Sequence, residues 1–297
     1  MAAPAPVQSP LRRQRPLVDS GVVARVIWDS AWPLSERRFH APEMWLRRQG
    51  LQLDGVPGAV DRMRWHPHCP TGPWRAGGGP DDAPSAPALL LPLEPLPGTL
   101  AGVMALYLTG DGRTLRRFAG PDGMPRPAIK TFGQQKGAGF WLTDPWAPAD
   151  GPLIVGLGLR AVWLHAQALI ACGQKVRAVA VPSVHELQGG AVRDAEGALP
   201  IWQPEADPGR RPLMIDRPGA VVILAPGELA DIDLKVRPEQ DADARVERIS
   251  GAMRGWLAGH LAAAHWRASG ATDVRVVQAL HDPVGPGWGW SWSGEGE

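Results

Sequence analysis

The stretch Pro152–Gly173, "PLIVGLGLRAVWLHAQALIACG", decides how this chain is read. It opens on a short apolar run, passes two glycines one residue apart, and continues with apolar residues at helical spacing. That is the pattern of a buried strand, a tight turn and a helix packed back on the strand. Such a turn brings backbone N–H groups to the positive end of a helix, where a phosphate can sit. It is also a place where an α/β enzyme carries a catalytic side chain. Whether the turn cradles phosphate or has lost an acid decides whether the protein performs chemistry.

Downstream the same rhythm continues. The pattern predicts a strand at 153–155, a helix over 160–172 and strands at 176–181 and 220–225. A long amphipathic helix over 239–268 follows, and "DVRVVQAL" is a last strand. In the long helix Val246, Ile249, Met253, Trp256, Leu257 and Leu261 recur at three and four, giving one apolar stripe. Strands alternating with helices imply parallel pairing in a wound sheet. Residues 187–219, rich in Gly, Pro and Asp, read as an inserted loop or hairpin.

Upstream the pattern differs. Gly21–Leu51 is helical in character, with a short helix around Glu43, Trp45, Leu46 and Arg47 stopped by Gly50. A short strand is expected around Met63, then a Pro/Gly loop that includes "RWHPHCP". "PALLLPLEP", "TLAGVMALYLTGDGRTLRRFA" and "GAGFWL" read as strands. "TGDGRT" marks a hairpin, because Asp-Gly supplies the positive φ such turns need. The expected organisation is a tail at 1–17, a mixed α+β region over 18–148, an α/β domain with a parallel sheet over 149–282, and a Trp/Gly tail at 283–297.

Composition sets the outer bounds. The chain has 297 residues, 44% of them apolar, which is ample for a sizeable core. Its formal net charge is +1, so there is no global signature of a polyanion binder. The basic excess lies in the first half and peaks at Arg113, Arg116, Arg117, Arg126, Lys130 and Lys136, where Asp122 is the one acid. These six are candidate phosphate contacts, and a solvated basic face is the plainer alternative. Two distant cysteines argue against a disulfide framework and for a reducing cytoplasm. No apolar run has membrane-spanning length, and the amino-terminal stretch lacks the apolar centre of a secretory signal. The fourteen Trp read mainly as packing anchors, with base stacking as the alternative.

Two motifs have limited support. Gly156, Gly158 and Ala161 match a dinucleotide-binding turn after a strand, but Glu186 comes too late to grip a ribose. His66, His68 and Cys69 offer three ligand atoms without a second cluster, so a local loop role is favoured over zinc. Nucleophile signatures are lacking: no serine sits in a glycine elbow.

A resemblance covers about 210 residues. "VARVIWDSAWPLSERRFHAPEMWLRRQGL" resembles the opening of the primase-like proteins of phages and mobile elements that carry a toprim domain, with Trp45, Leu46, Arg47, Arg48, Gly50 and Leu51 in place. "MRWHPHCP" is similar to that family's His-Pro loop, here His66 and Pro67. The "D-G" hairpin and the segment carried by Lys130, Gly133, Gly137 and Ala138 follow in order. "PLIVGLGLRAVWLHAQAL" and "GAVVILAPGE" then resemble its two acid-bearing strands. The resemblance implies a Rossmann-like toprim-type α/β domain acting on nucleic-acid phosphodiesters, with a Glu as general acid/base and an Asp pair holding Mg²⁺.

This sequence departs from that pattern where the chemistry lies. The Glu position is Leu157, a second acid is Arg160, and the first Asp is Pro226; Glu228 alone remains. Leucine transfers no proton and proline ligates no metal. The expectation is therefore a non-catalytic, nucleic-acid- or replisome-associated protein without cofactor, in which Gly156, Gly158 and Arg160 could still hold phosphate. One alternative is an active Mg²⁺-dependent primase-like or nuclease-like enzyme using Glu228, Asp231 and Asp233. The other is a nucleotide-binding module at Gly156 and Gly158.

Overall fold

The turn at Gly158 forms because glycine alone tolerates its φ of 78° without strain. It joins an apolar strand to a helix whose apolar residues return to that strand. The computed structural model describes residues 19–36, 38–72, 84–119, 125–145, 151–227 and 229–279, with backbone alone at 126. In chain order the first part comprises α1 (Ser20–Asp29), β1 (Trp32–Pro33), α2 (His40–Arg48), β2 (Arg64–Pro70), β3 (Ser85–Leu93), β4 (Gly102–Tyr107), β5 (Phe118–Ala119), β6 (Pro125–Arg126), β7 (Ile129–Gly133) and β8 (Phe140–Trp141). The second comprises β9 (Leu153–Leu157), α3 (Leu159–Ala171), β10 (Arg177–Val181), α4 (Val184–Gln188), β11 (Gly190–Ala191), β12 (Leu199–Pro200), β13 (Ala206–Asp207), β14 (Ala220–Ala225), β15 (Ile232–Arg237), β16 (Arg245–Ile249), α5 (Gly251–Ala268) and β17 (Asp273–Gln278).

The architecture is mixed α/β. One five-stranded sheet, β1-β2-β3-β4-β7, is antiparallel throughout. The other runs β17-β14-β9-β10-β8, with its first four strands parallel and β8 antiparallel at the edge. A small sheet, β12-β15-β16, projects from the second part. The antiparallel sheet buries one face under Val23, Ala24 and Ile27 of α1, a helix started by the Asp19 carboxylate accepting from the Gly21 and Val22 N–H groups. Its other face meets α2, α3 and one face of the parallel sheet in a single shared core. The far face of the parallel sheet is covered by Ala258, Ala262, Ala263 and Trp266 of α5.

The parts on either side of residue 148 pack against each other. β8 comes from the first part yet completes the second sheet, and Glu94 and Gly139 exchange both backbone hydrogen bonds, tying the end of β3 to the start of β8. Glu94 itself is buried and paired with Arg62. The core between the two sheets is thus shared by both parts.

Two expectations are corrected. Residues 239–268 are not one helix. Ile232–Arg237 and Arg245–Ile249 form an antiparallel hairpin, and the helix begins only at Gly251, after Ser250 caps the Met253 N–H. The three-and-four spacing that linked Val246 and Ile249 to Met253 runs across this boundary. "RWHPHCP" is strand β2 rather than loop, with a register shift between His66 and Cys69. Gly112 turns the chain at "TGDGRT" as expected: Leu108 bridges Leu115, the Thr109 N–H donates to the Thr114 carbonyl at 3.0 Å and the Arg116 N–H to the Tyr107 carbonyl at 2.8 Å, while β4 itself pairs with β3 and β7. The insertion at 187–219 holds α4 and the short strands β11, β12 and β13. The tails at 1–17 and 283–297 lie outside the described residues.

Candidate functional site at the carboxyl end of the parallel sheet

In a wound sheet the binding crevice opens where the strand order reverses, beyond the carboxyl ends of the strands. Here the chain passes from β9 to β10 on one side and then returns to β14 on the other. The reversal thus lies between the ends of β9 and β14. Leu157 and Gly158 stand on one wall, Pro226 and Gly227 on the other. No side chain caps α3. The N–H groups of a helix's first turn have no intrahelical partner, so this end carries the helix's positive partial charge.

The glycines of the turn have structural duties. Gly156 lies within β9, where a Cβ would come within 2.9 Å of both Leu224 Cβ and Val162 Cγ2. Its bare backbone lets α3 and β14 approach. The Gly158 N–H donates to the Val181 carbonyl at 3.1 Å, closing β9 onto the end of β10, so that group is not turned to a phosphate. Arg160 donates from Nε to the Gln49 carbonyl at 2.9 Å and ties α3 to the loop after α2. The predicted phosphate set Gly156, Gly158 and Arg160 is thus engaged within the fold, and what the turn offers an anion is the first turn of α3.

The acids behave likewise. Asp231 accepts from the Gly251 N–H at 2.9 Å, at the positive end of α5, and its other oxygen lies 3.7 Å from Arg248. Asp233 faces the same arginine at 3.6 Å. Glu228 lies outside the described residues. Leu157 and Pro226 contribute no metal-binding oxygen from their side chains. Among the described residues no three His, Cys, Asp or Glu side chains gather as a metal-holding group. The residues described at this edge do not fit Mg²⁺, which asks for several carboxylate or carbonyl oxygens in one shell.

α5 fits this edge through glycine. The carbonyl oxygens of Leu229 and Pro226 occupy the space where side chains at Gly251 and Gly255 would begin, and Val276 and Ala225 crowd Gly259. Three glycines four apart form one helix face, pressed on the loop after β14 and on β17. The opposite face is exposed. The expected single stripe is therefore split: Leu257 and Leu261 are buried, whereas Met253 and Trp256 point outward, at 40% and 43% exposure. The Trp256 ring lies against His260 with centroids 4.1 Å apart and planes tilted by 41°. The glycine spacing was a readable signal for this face, since it marks which side of the helix is against the sheet.

A carboxylate of the second part also holds a segment of the first part at this edge. Glu186 of α4 accepts from the Gly137 N–H at 2.6 Å, and burial pushes its carboxyl up while that hydrogen bond, His185 and Lys136 oppose the shift. The contact anchors the Lys130–Ala138 segment beside the end of β10.

The predicted basic run is not one surface. Arg113 is held 3.6 Å from Asp111, and Arg116 lies over the Phe118 ring at 5.7 Å. Arg117 is exposed nearby. Lys130 is drawn inward, donating to the Thr71 carbonyl at 3.4 Å and lying 4.9 Å over Phe132; burial lowers its pKa. Lys136 follows the far end of β7, beside Glu186. The side chain of Arg126 lies outside the description.

His66, His68 and Cys69 serve local contacts. His66 Nε2 lies 3.1 Å from Ser30 Oγ, and its Nδ1 accepts from the His68 N–H. The Cys69 thiol is buried against the Tyr107 hydroxyl, and burial pushes it up to about 12. Both cysteines are free, Cys172 at the exposed end of α3. No described helix is long and apolar enough to cross a membrane. Compared with protein-family models, with curated proteins and with solved structures, the chain matches none.

Proposed function

We propose that this chain is a toprim-like protein that associates with nucleic acid or with a replication partner and carries out no phosphodiester chemistry. The observation that carries the reading is Leu157 at the end of β9. It stands at the strand reversal, the position where the resemblance places the general acid/base. The strand order β17-β14-β9-β10, the glycine turn into α3 and the acid-bearing loop after β14 support the toprim-like reading. Pro226 at the next acid position, and the engagement of Asp231 and Asp233 by Gly251 and Arg248, support the loss of chemistry. Polyanion affinity would rest on the uncapped end of α3 and on exposed cations, and it would fall with salt through counterion release.

The test has two arms. Labelled single- and double-stranded DNA and RNA are titrated with the full chain across a salt series, and the same substrates are incubated with Mg²⁺ for nicking, cleavage and primer synthesis. Salt-dependent binding without turnover is expected. Turnover that Glu228→Ala abolishes would replace this reading with the enzymatic one.

A further inference from the structure

The outward face of α5 combines two properties. Met253, Trp256 and His260 lie on one side of the helix and are exposed, and Arg267 continues the row. A large aromatic left in water normally loses the free energy its burial would give, so an exposed Trp held in place suits a binding surface. Trp256 is held: its ring packs against His260, one helical turn on, with the two planes tilted by 41°. The second property is charge. From Arg248 to Thr272 the chain has no Asp or Glu, and Arg267 lies exposed on this side of the helix. Partial burial lowers the pKa of His260, and Arg267 adds to the shift.

An acid-free helix presenting an indole packed on a histidine, with an arginine farther along the same side, matches a polyanion with accessible aromatic faces. We propose that the Met253–Trp256–His260 face of α5 is a stacking platform for the bases of single-stranded nucleic acid, with Arg267 farther along the same side for a backbone phosphate. This rests on the nucleic-acid reading above and names the strand form and the surface. Every base has a π-face, so such a platform is tolerant of sequence, and it discriminates against duplex, whose bases stack on one another. The helix's buried glycine face holds the platform rigid against β14 and β17, so little ordering is needed on binding.

The experiment titrates a labelled oligothymidylate of about 20 nucleotides, and the matching duplex, with the full chain. Wild type is compared with Trp256→Ala, Trp256→Leu and Trp256→Phe, and with Trp202→Ala as an exposed tryptophan elsewhere. Circular dichroism monitors the fold. Trp256→Leu keeps apolar bulk on the helix while removing the ring, so it remains informative should the alanine variant lose structure. The expected result is a roughly ten-fold loss of single-strand affinity in the alanine and leucine variants. The phenylalanine and Trp202 variants should stay near wild type, and duplex should bind more weakly than single strand throughout. Single-strand affinity unchanged in both Trp256→Ala and Trp256→Leu would overturn the platform and leave nucleic-acid association standing. Absence of all nucleic-acid binding by wild type would overturn both.

Discussion

Replacing Gly156 by alanine separates a packing role for the β9 turn from a ligand-binding one. The backbone there is ordinary strand, so alanine is conformationally acceptable, and by restricting the unfolded chain it would add about 0.4–1 kcal/mol of stability. Against this stands the space. The new methyl would lie 2.9 Å from Leu224 Cβ and 2.9 Å from Val162 Cγ2. Carbon atoms prefer about 3.5–4.0 Å. Neither neighbour yields easily: Leu224 Cβ is fixed to the backbone of β14, and a β-branched valine in a helix has one strongly preferred rotamer. Overpacking of this kind costs about 1–3 kcal/mol, so the expected net loss is about 1–2 kcal/mol. Urea denaturation followed by circular dichroism measures it, with the m-value checked for constancy. A second variant sharpens the test. Val162→Ala removes the obstructing methyl, so the double variant should be more stable than the sum of the two single effects predicts, by at least about 0.5 kcal/mol. A Gly156→Ala protein as stable as wild type, or strictly additive behaviour in the cycle, would refute the packing account and return this glycine to the candidates for close ligand approach.

Two other outcomes follow from the site geometry. Asp231→Asn keeps an acceptor for the Gly251 N–H and should stay near wild-type stability, whereas Asp231→Ala should lose about 1 kcal/mol, as helix-start acceptors do; equal thermal melting of the two variants would show that the carboxylate is not holding α5. His265 is 4% exposed, with Nε2 3.2 Å from the Gly190 carbonyl, and burial lowers its pKa below the ordinary 6.5, with Arg211 adding to the shift and Gly190 and Asp207 opposing it. The unfolded chain takes up this proton first as the pH falls, so the histidine's contribution is present above pH 6.5 and is lost below it, down to the folded value. Urea midpoints measured between pH 7 and 5 should fall less steeply in His265→Gln than in wild type, and identical slopes would count against this burial.

The parts of the fold legible in the sequence are those whose local and tertiary preferences agree. β14 occupies 220–225 as the apolar run predicts, and β9, α3 and β10 lie within two residues of their expected limits, because glycines bound them and apolar residues fill them. The 239–268 region misleads for a physical reason. Val246 and Ile249 continue the helix's spacing backward, but Val246 is 68% exposed on the outer strand of a hairpin, and Ser250 offers the helix a better start. β2 was hidden because two prolines in "RWHPHCP" read as breakers; the strand accommodates them with a shift in register. Interruption of the basic run was equally illegible, since only the fold shows that Lys130 turns inward and Lys136 follows the opposite end of β7.

At the candidate site the sequence shows Leu157 and Pro226 where the resemblance expects acids, but not how Asp231 is engaged. The structure links that engagement to the exposed aromatic face through one helix. α5 lies close to the loop after β14 because Gly251 and Gly255 leave room for the Leu229 and Pro226 carbonyls. That closeness brings the Gly251 N–H to Asp231 and commits its carboxylate to the helix start. The same orientation turns Met253, Trp256 and His260, on the side opposite the glycines, away from the sheet. An acid in the crevice and a basic aromatic face on α5 would pull a polyanion in opposite directions. With Leu157 and Pro226 in place and Asp231 engaged, the proposed stacking face of α5 would meet a strand with less opposition from the described part of this edge.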